Sequence, residues 1–341
     1  MKRTMTMMLI VSMTIQGAFG CSKMLDREIQ RTAKNSVDYS YFRDGKMHII
    51  LCGTGSPIPD PNHGQACVAL IVSGQIILVD TGDGAYNTLQ FLKLPIDRIS
   101  KIFITRFHSD HIADLGQVIN RSWISGRAHP LDIYGPEGIQ HVVDGFEQVY
   151  ALDAGYRAAH HGDNMRLENR RVRVNTFDFA DLEEAVTILE EDGLTVSSFS
   201  VEHQPGEPAV GYRFDYKRKT LVISGDTVSN RNVERYSQNA DILIHDVMNK
   251  ELNGHVASLL QAMDNKNLQR TGEMLEDTLS YHIDTAELGK LAQRAGVKKL
   301  VLTHLVPPPR NFYLKRAFRK HVGEFYKGAL ILGEDRMHLE L

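Results

Sequence analysis

Residues 101–111 read KIFITRFHSDH, and this stretch decides the fold. Its apolar first half predicts a buried strand, and its polar second half predicts a turn into a helix. The turn carries His108, Asp110 and His111, and imidazoles and carboxylates are the ligands that Zn²⁺ accepts in hydrolytic sites. The same residues could instead cap a helix N-terminus through Ser109 and Asp110. The turn alone therefore leaves a metal site and a helix cap open.

Three more potential ligands stand at the ends of predicted strands. His203, Asp226 and His304 each follow or end an apolar run. Open α/β sheets gather ligand-binding groups at the carboxyl ends of their strands. We therefore expect these side chains to converge with the 101–111 turn on a metal site. Zn²⁺ is the expected ion, with one or two ions per chain, and Mn²⁺ and Fe²⁺ are the alternatives.

Short β-branched runs and amphipathic segments follow one another along the chain. Strands are predicted over 47–53, 66–72, 75–80, 101–105, 194–201, 209–214, 220–226, 241–246, 298–304 and 328–332. Apolar residues at three- and four-residue steps predict helices over 85–93, 111–123, 138–152, 284–296 and 313–326. This succession of strands and helices predicts an α/β fold in a single domain.

Two segments stand outside this pattern. Residues 21–45 are polar and predict a tether or a short lead-in helix, so the compact domain would span 46–341. Residues 247–283 form a long, mostly polar connection, which we interpret as a surface insertion or a lid.

The N-terminus has the layout of a secretory signal. Lys2 and Arg3 precede a short apolar stretch that is too interrupted to span a bilayer. Residues 18–21, Ala-Phe-Gly-Cys, resemble a bacterial lipoprotein cleavage site. We expect residues 1–20 to be removed and Cys21 to be lipidated, giving an exported periplasmic protein anchored to the inner or outer membrane. The alternative is a frayed apolar N-terminus on a cytosolic protein.

The other two cysteines, Cys52 and Cys67, flank a predicted loop. In an oxidising compartment they could form a disulfide, whereas in a reducing one they would be two buried thiols. The cysteine spacing does not decide between these states, and it contains no Cys-x-x-Cys zinc motif.

The charge balance bears on the class of partner. The formal net charge is −3 at pH 7, and loss of Lys2 and Arg3 with the signal would make it more negative. Binding a polyanion requires a basic surface, so the charge disfavours nucleic acid as the main partner. Whether the chain forms a homodimer is left open.

The motifs together resemble the metallo-β-lactamase-fold hydrolases, in the branch that contains ribonuclease Z and the zinc-dependent arylsulfatases. The similarity covers roughly residues 47–332 and includes the following, in order: Gly53-Thr54-Gly55-Ser56-Pro57, Asp80-Thr81-Gly82-Asp83-Gly84, the His108 turn, Tyr134-Gly135-Pro136, His203, Gly211-Tyr212-Arg213-Phe214, Ser224-Gly225-Asp226-Thr227, Ile244-His245-Asp246, His282-Ile283-Asp284-Thr285 and Thr303-His304. The resemblance implies a four-layer αββα sandwich and a metal-dependent hydrolase of ester bonds.

The resemblance also implies roles for single residues. The implied ligands are, for a first ion, His108, His203 and Asp226 and, for a second, Asp110, His111, Asp226 and His304. Asp110 would also orient the attacking water, and His282, backed by Asp246, would stabilise transition-state charge or protonate the leaving oxygen. Taken without the resemblance, His282 and Asp246 could equally be a surface histidine and a strand-end carboxylate.

One position departs from the family pattern His-x-His-x-Asp-His, because Arg106 replaces the first histidine. Arginine stays protonated and cannot ligate a metal. Two hypotheses remain: two ions with one loosely held, or a single ion at Asp110, His111, Asp226 and His304. In the second, the Arg106 guanidinium would replace part of the missing charge and bind a sulfate or phosphate group of the substrate.

Three functions fit the sequence. The first is an exported hydrolase of a small anionic ester, arylsulfatase-like or phosphodiesterase-like, which the signal, the charge and the segment from Trp123 to Pro136 favour. The second is a ribonuclease Z-type endonuclease that processes tRNA 3′ ends, although residues 153–193 contain no Gly/Pro-rich arm. The third is a binding protein in which Arg106 has disabled the metal site. Fold alone does not choose among them.

Overall fold

The computed structural model describes residues 22–34 and 36–341. The predicted signal and Cys21 lie outside the described residues. Residues 22–34 form an exposed helix, α1, and Ser40–Phe42 form a 3-10 turn before the first strand. Within the described part of the chain, no helix combines the length and apolarity that crossing a membrane requires.

Two seven-stranded sheets make up the centre of the molecule. The first sheet contains, in chain order, β1 (His48–Gly53), β2 (Cys67–Val72), β3 (Gln75–Val79), β4 (Ile99–Phe103), β5 (Leu131–Gly135), β6 (Val172–Thr176) and β14 (His338–Glu340). The second contains β7 (Val186–Glu191), β8 (Leu194–Val201), β9 (Ala209–Tyr216), β10 (Lys219–Ile223), β11 (Ile242–Met248), β12 (Lys299–Val306) and β13 (Ala329–Leu332).

The two sheets share one plan. The first has the order β14-β1-β2-β3-β4-β5-β6 and the second β13-β12-β11-β10-β9-β8-β7. In each sheet a run of antiparallel pairs is followed by three parallel pairs, which begin at β3 with β4 and at β10 with β11. The parallel halves place several strand carboxyl ends at one edge of the sandwich.

Helices cover the outer faces of both sheets. Besides α1, the helices are α2 (Ala85–Phe91), α3 (Ser109–Ile112), α4 (Leu115–Ile124), α5 (Ile139–His161), α6 (Leu167–Arg170), α7 (Arg231–Tyr236), α8 (Lys250–Gln261), α9 (Lys266–Asp277), α10 (Thr285–Arg294) and α11 (Phe312–Phe325). Helices α2, α4 and α5 pack on the first sheet, and α7, α10 and α11 pack on the second.

Strand β1 shows why this sequence forms layers. Ile49 and Leu51 face the apolar core between the two sheets, whereas Ile50 and Cys52 face the core beneath the outer helices. A strand buried on both faces needs apolar residues at every position, and β1 is buried throughout. The predicted four-layer αββα sandwich is therefore confirmed.

Several predicted boundaries were wrong. The structure adds β5, β6, β7 and β14, and it divides the predicted helix 111–123 into α3 and α4. Residues 247–283, interpreted as a surface insertion or a lid without assigned helices, contain α8 and α9, which pack against each other. The two helices bury few of their residues, so most of their positions are polar and the apolar period of a helix is weak in the sequence.

Cys52 and Cys67 form a disulfide between β1 and β2. Both residues are buried in the core under the first sheet. The bond closes a loop of sequence separation 15, and Gly53 and Cys67 at the ends of that loop line a small pocket together with His111, Asp226 and His304. Of the two states that the sequence left open, the structure contains the disulfide.

Candidate metal centre

The predicted ligands meet where strands of both sheets end. His108, Asp110 and His111 lie on the turn after β4, His203 and Asp226 follow β8 and β10, and His304 lies within β12. All of these side chains except that of His108 are buried. The two halves of the sandwich thus contribute equally to one cluster.

A carboxylate that sequence reasoning missed fixes the turn after β4. Asp80 accepts hydrogen bonds from the Thr105 backbone N–H at 2.8 Å and the Thr105 hydroxyl at 2.7 Å. Its Oδ2 also lies 2.7 Å from His111 Nδ1, so Nδ1–H donates to Asp80 and the lone pair of His111 Nε2 points into the cluster. The helix-cap alternative is not observed, because the described N-terminus of α3 has no side-chain capping bond.

Backbone strain also aims two of these side chains. Asp80 has φ +58° and His304 has φ +47°, which non-glycine residues rarely adopt. His304 is the extra residue of a β-bulge, since Asp246 pairs with Thr303 and Val247 with Leu305. A bulge re-aims a side chain, and here it turns His304 toward the site.

Four donor atoms have the spacing of a tetrahedral ion site. His304 Nε2 lies 3.0 Å from Asp110 Oδ2 and 3.1 Å from Asp226 Oδ2, and His111 Nε2 lies 3.4 Å from each of these oxygens. Bond lengths of about 2.0–2.1 Å to a tetrahedral Zn²⁺ require donors about 3.3 Å apart. The set Asp110, His111, Asp226 and His304 therefore fits one divalent ion, and we call it the four-donor set.

The Arg106 guanidinium lies beside the four-donor set. It contacts the three residues that the family pattern assigns to a first ion. Nη1 contacts His108 Nδ1 and lies 2.8 Å from His203 Nε2, while Nη2 contacts Asp226 Oδ2. Nε donates to His111 Nε2 at 3.1 Å, and the side chain is 1% exposed. Four of the five guanidinium N–H groups are thus used inside the cluster. Only one N–H remains for the substrate group that the sequence assigned to Arg106.

His203 accepts the Arg106 hydrogen bond in its neutral form. Its Nδ1 lies 3.1 Å from the backbone carbonyl of Tyr281, which takes the ring proton and leaves the Nε2 lone pair for Arg106. Burial and the neighbouring Arg106 cation lower the pKa of His203 to about 4. The Tyr281 carbonyl, which orients His203, is a second contact that the sequence did not reveal. Any residue can supply a backbone oxygen, so no motif indicates it.

The two cluster carboxylates are ionised despite their burial. Burial raises the pKa of Asp226, but Arg106 and His304 outweigh it and hold that pKa well below its usual range. Burial likewise raises the pKa of Asp110, and the His111 and His304 imidazoles outweigh it and hold the pKa well below the ordinary value. Both oxygens are therefore anionic donors.

His282 and Asp246 form a buried pair beside the cluster. His282 Nδ1 donates to Asp246 Oδ2 at 2.8 Å, which leaves Nε2 free, and its ring centre lies 5.1 Å from that of His203 and 5.3 Å from that of His304. His245 Nδ1 also lies 2.9 Å from Asp246 Oδ1. His245 thus positions the carboxylate that supports His282, a role that the sequence analysis did not assign to it.

A cavity of about 750 Å³ opens beside His108 and His203. Its rim includes Glu276 and Asp277, the last two residues of α9, and Tyr281, which lies after that helix. The segment predicted as a lid therefore contributes to the mouth of the site as a helical rim.

Trp123 and Arg127, which the sequence connected with substrate class, have structural contacts. Trp123 Nε1 donates to the Arg166 carbonyl at 3.0 Å, and Arg127 Nη1 donates to the Asn169 carbonyl at 2.7 Å. Both side chains are buried, and their polar atoms hold the backbone after α5. Their contacts carry no information on the substrate.

Known proteins resemble the chain in sequence and in fold. A family model described as the metallo-beta-lactamase superfamily matches residues 60–278. The ribonuclease Z of Mycobacterium marinum is 32% identical over 264 residues, which cover 76% of this chain and 87% of that protein. The human short-form tRNase Z aligns with a TM-score of 0.59 at 22% identity, covering 86% of this chain and 98% of that one. The metallo-beta-lactamase fold protein YhfI of Bacillus subtilis aligns with a TM-score of 0.60 at 19% identity, covering 87% and 100%.

The role of Asp80 can be tested by Asp80→Asn. Asparagine tolerates the positive φ. When its single oxygen accepts from the Thr105 N–H, its NH2 group faces His111 Nδ1 and donates to it, so the ring proton moves to Nε2 and that lone pair is lost. We expect affinity for Zn²⁺ to fall roughly 10- to 100-fold by isothermal titration, with the circular dichroism spectrum unchanged. The control is Asp83→Asn on the same loop, whose side chain is exposed. Equal affinities for the two variants would show that Asp80 does not orient His111.

Proposed function

The chain belongs to the metallo-beta-lactamase superfamily, and from this premise we propose that it is a metal-dependent hydrolase of phosphodiester bonds. The observation that carries the proposal is the free Nε2 of the His282–Asp246 pair beside the four-donor set. A proton donor next to an ion site is what hydrolysis of an ester with a poor leaving group requires.

The four-donor set would hold one divalent ion. When bound, that ion would lower the pKa of a water molecule and withdraw charge from a phosphoryl oxygen. The Asp110 and Asp226 carboxylates would supply the negative charge that holds the ion. The carboxylate of Asp110 can also accept a hydrogen bond from the attacking water. The remaining steps fall to the side chains around this set.

His282 would protonate the leaving oxygen. Its Nδ1–H is held by Asp246, which fixes the orientation of the ring and leaves Nε2 for the substrate. His245 holds the other oxygen of Asp246, so the carboxylate is fixed from two sides. This relay places one transferable proton at a defined atom, His282 Nε2.

The relatives favour a ribonucleic acid substrate. The M. marinum protein is named ribonuclease Z, and the human structure is titled a tRNase Z. Transferred to this chain, these names indicate cleavage of a phosphodiester bond in RNA, the alternative function drawn from the sequence. They support it better than they support an arylsulfatase-like activity.

A small anionic ester is the second candidate, and two observations favour it. The described residues that line the 750 Å³ cavity include the carboxylates Glu276 and Asp277 but no lysine or arginine, which is a poor surface for a polyanion. The Cys52–Cys67 disulfide supports export to an oxidising compartment, where tRNA is not processed. A phosphodiester or a sulfate ester of low mass fits this case.

A substrate panel tests the proposal. Zinc-loaded protein should hydrolyse bis(p-nitrophenyl) phosphate, and chelation by EDTA should abolish the activity. On a diester with a poor alkoxide leaving group, such as a dinucleoside phosphate, His282→Ala should lower kcat roughly 10²- to 10⁴-fold without lowering the zinc content, because protonation of the leaving oxygen is lost. With p-nitrophenolate as the leaving group, which departs without a proton, the loss should be much smaller. The control is His160→Ala, at an exposed histidine.

The panel also separates the two candidates. Cleavage of precursor tRNA at its 3′ trailer would support the first candidate, and activity limited to small phosphodiesters or to p-nitrophenyl sulfate would support the second. Hydrolysis of none of these substrates by the metal-loaded protein would contradict the proposal.

Export is tested by fractionating cells that express the full chain. We expect the wild-type protein in the membrane fraction and Cys21→Ala outside it, because the variant lacks the thiol that would be lipidated. Ser22→Ala, one residue away, should behave as the wild type. Recovery of the wild-type protein in the cytosol would contradict export and favour the RNA-processing candidate.

A further inference from the structure

We propose that the guanidinium of Arg106 is a built-in cation that takes the place of one of two metal ions, so that the chain binds a single divalent ion at the four-donor set. The inference rests on the proposed function, because it concerns how that metallo-hydrolase is charged. It also gives a physical role to Arg106, the residue that departs from the family motif.

The contacts of the terminal nitrogens carry the proposal. The residues that the family pattern assigns to a first ion are His108, His203 and Asp226, and each contacts Nη1 or Nη2 of Arg106. The guanidinium therefore uses the lone pairs that such an ion would need. A metal at this position would have to displace a buried cation that cannot be deprotonated.

The positions of the ligands agree with this substitution. Asp110, His111, Asp226 and His304 place one donor atom each within 4.8 Å of one another. The described groups of this kind do not include His108, whose side chain is exposed and whose Nδ1 faces Arg106. A second described group of this kind, His203, Asp226 and His282, shares two residues with the first site, but Arg106 contacts both of them through Nη1 and Nη2. The guanidinium therefore occupies the first site, while the four-donor set keeps the spacing of a metal site.

Arg106 supplies part of the positive charge that a second ion would bring. The buried carboxylates in or beside the cluster are those of Asp80, Asp110, Asp226 and Asp246, and the guanidinium adds one permanent positive charge to them.

Arg106 also competes with the ion that does bind. Its Nε donates to His111 Nε2, and this lone pair can serve either the guanidinium or an ion. Loading the four-donor set therefore requires Nε to release His111 while Nη1 and Nη2 keep their partners. We expect Arg106 to weaken binding of the single ion as well as to exclude the second.

The test is the metal stoichiometry of the wild-type protein and of Arg106→His. Titration with Co²⁺, followed by its visible absorption and checked by elemental analysis after dialysis, should saturate at one ion per wild-type chain. Arg106→His supplies the missing imidazole and removes the cation, so it should bind two ions. Arg106→Gln removes the cation alone, and should bind its first ion at least tenfold more tightly than the wild type.

Controls make the outcome specific. Arg98→His adds an imidazole at an exposed arginine and should keep one ion per chain. Circular dichroism and thermal unfolding of each variant report whether it folds, and the wild-type count is decisive without any variant. Two ions, or none, in the wild-type chain would overturn the proposal, as would a single ion in folded Arg106→His.

These outcomes are separable from a failure of the proposed function. One ion in the wild type with no ester hydrolysed would leave the Arg106 inference intact and overturn the hydrolase proposal. Two ions with phosphodiester hydrolysis would do the opposite.

Discussion

The buried ion pair between Arg106 and Asp226 connects the two halves of the sandwich, and the rest of the site is arranged around it. Arg106 follows β4 of the first sheet, and Asp226 follows β10 of the second. Both side chains are almost completely removed from water, where an unpaired charge is costly. The pair is tolerated because histidines accept the other guanidinium hydrogens. Removing one partner of such a pair typically costs about 3–5 kcal/mol, because the other charge is left buried and unpaired.

The sequence predicted the layers and the ligands because both leave local signals. Strands buried on two faces appear as unbroken apolar runs such as 67–72, and the ligands stand near the ends of those runs. Strands β6 and β7 were missed because they are only half-buried and carry polar residues. The roles of Asp80 and the Tyr281 carbonyl depend on contacts between distant segments. The direction of the Arg106 side chain depends on such contacts too, so the sequence could state two metal hypotheses but not choose between them.

Different parts of this molecule determine its family and its choice of substrate. The superfamily is evident from the sandwich and from the strand ends that carry the ligands. Substrate choice depends on the rim of the cavity, where α9 and the 276–281 segment place carboxylates beside His203. A site with a divalent ion and a guanidinium at its centre and an acidic rim would attract a small anion into the cavity while repelling an extended polyanion. The names of the ribonuclease Z relatives favour an RNA substrate instead. The charge of the rim therefore bears directly on the choice between an RNA and a small anionic ester.

Anomalous X-ray diffraction is the direct test of whether a guanidinium replaces one metal ion in this protein. Crystals of the wild-type protein grown with excess Zn²⁺ would be measured on both sides of the zinc absorption edge. We expect one anomalous peak per chain, bonded to Asp110, His111, Asp226 and His304, with the Arg106 guanidinium between His203 and Asp226. Two peaks about 3.5–4 Å apart, with Arg106 displaced from the cluster, would contradict it.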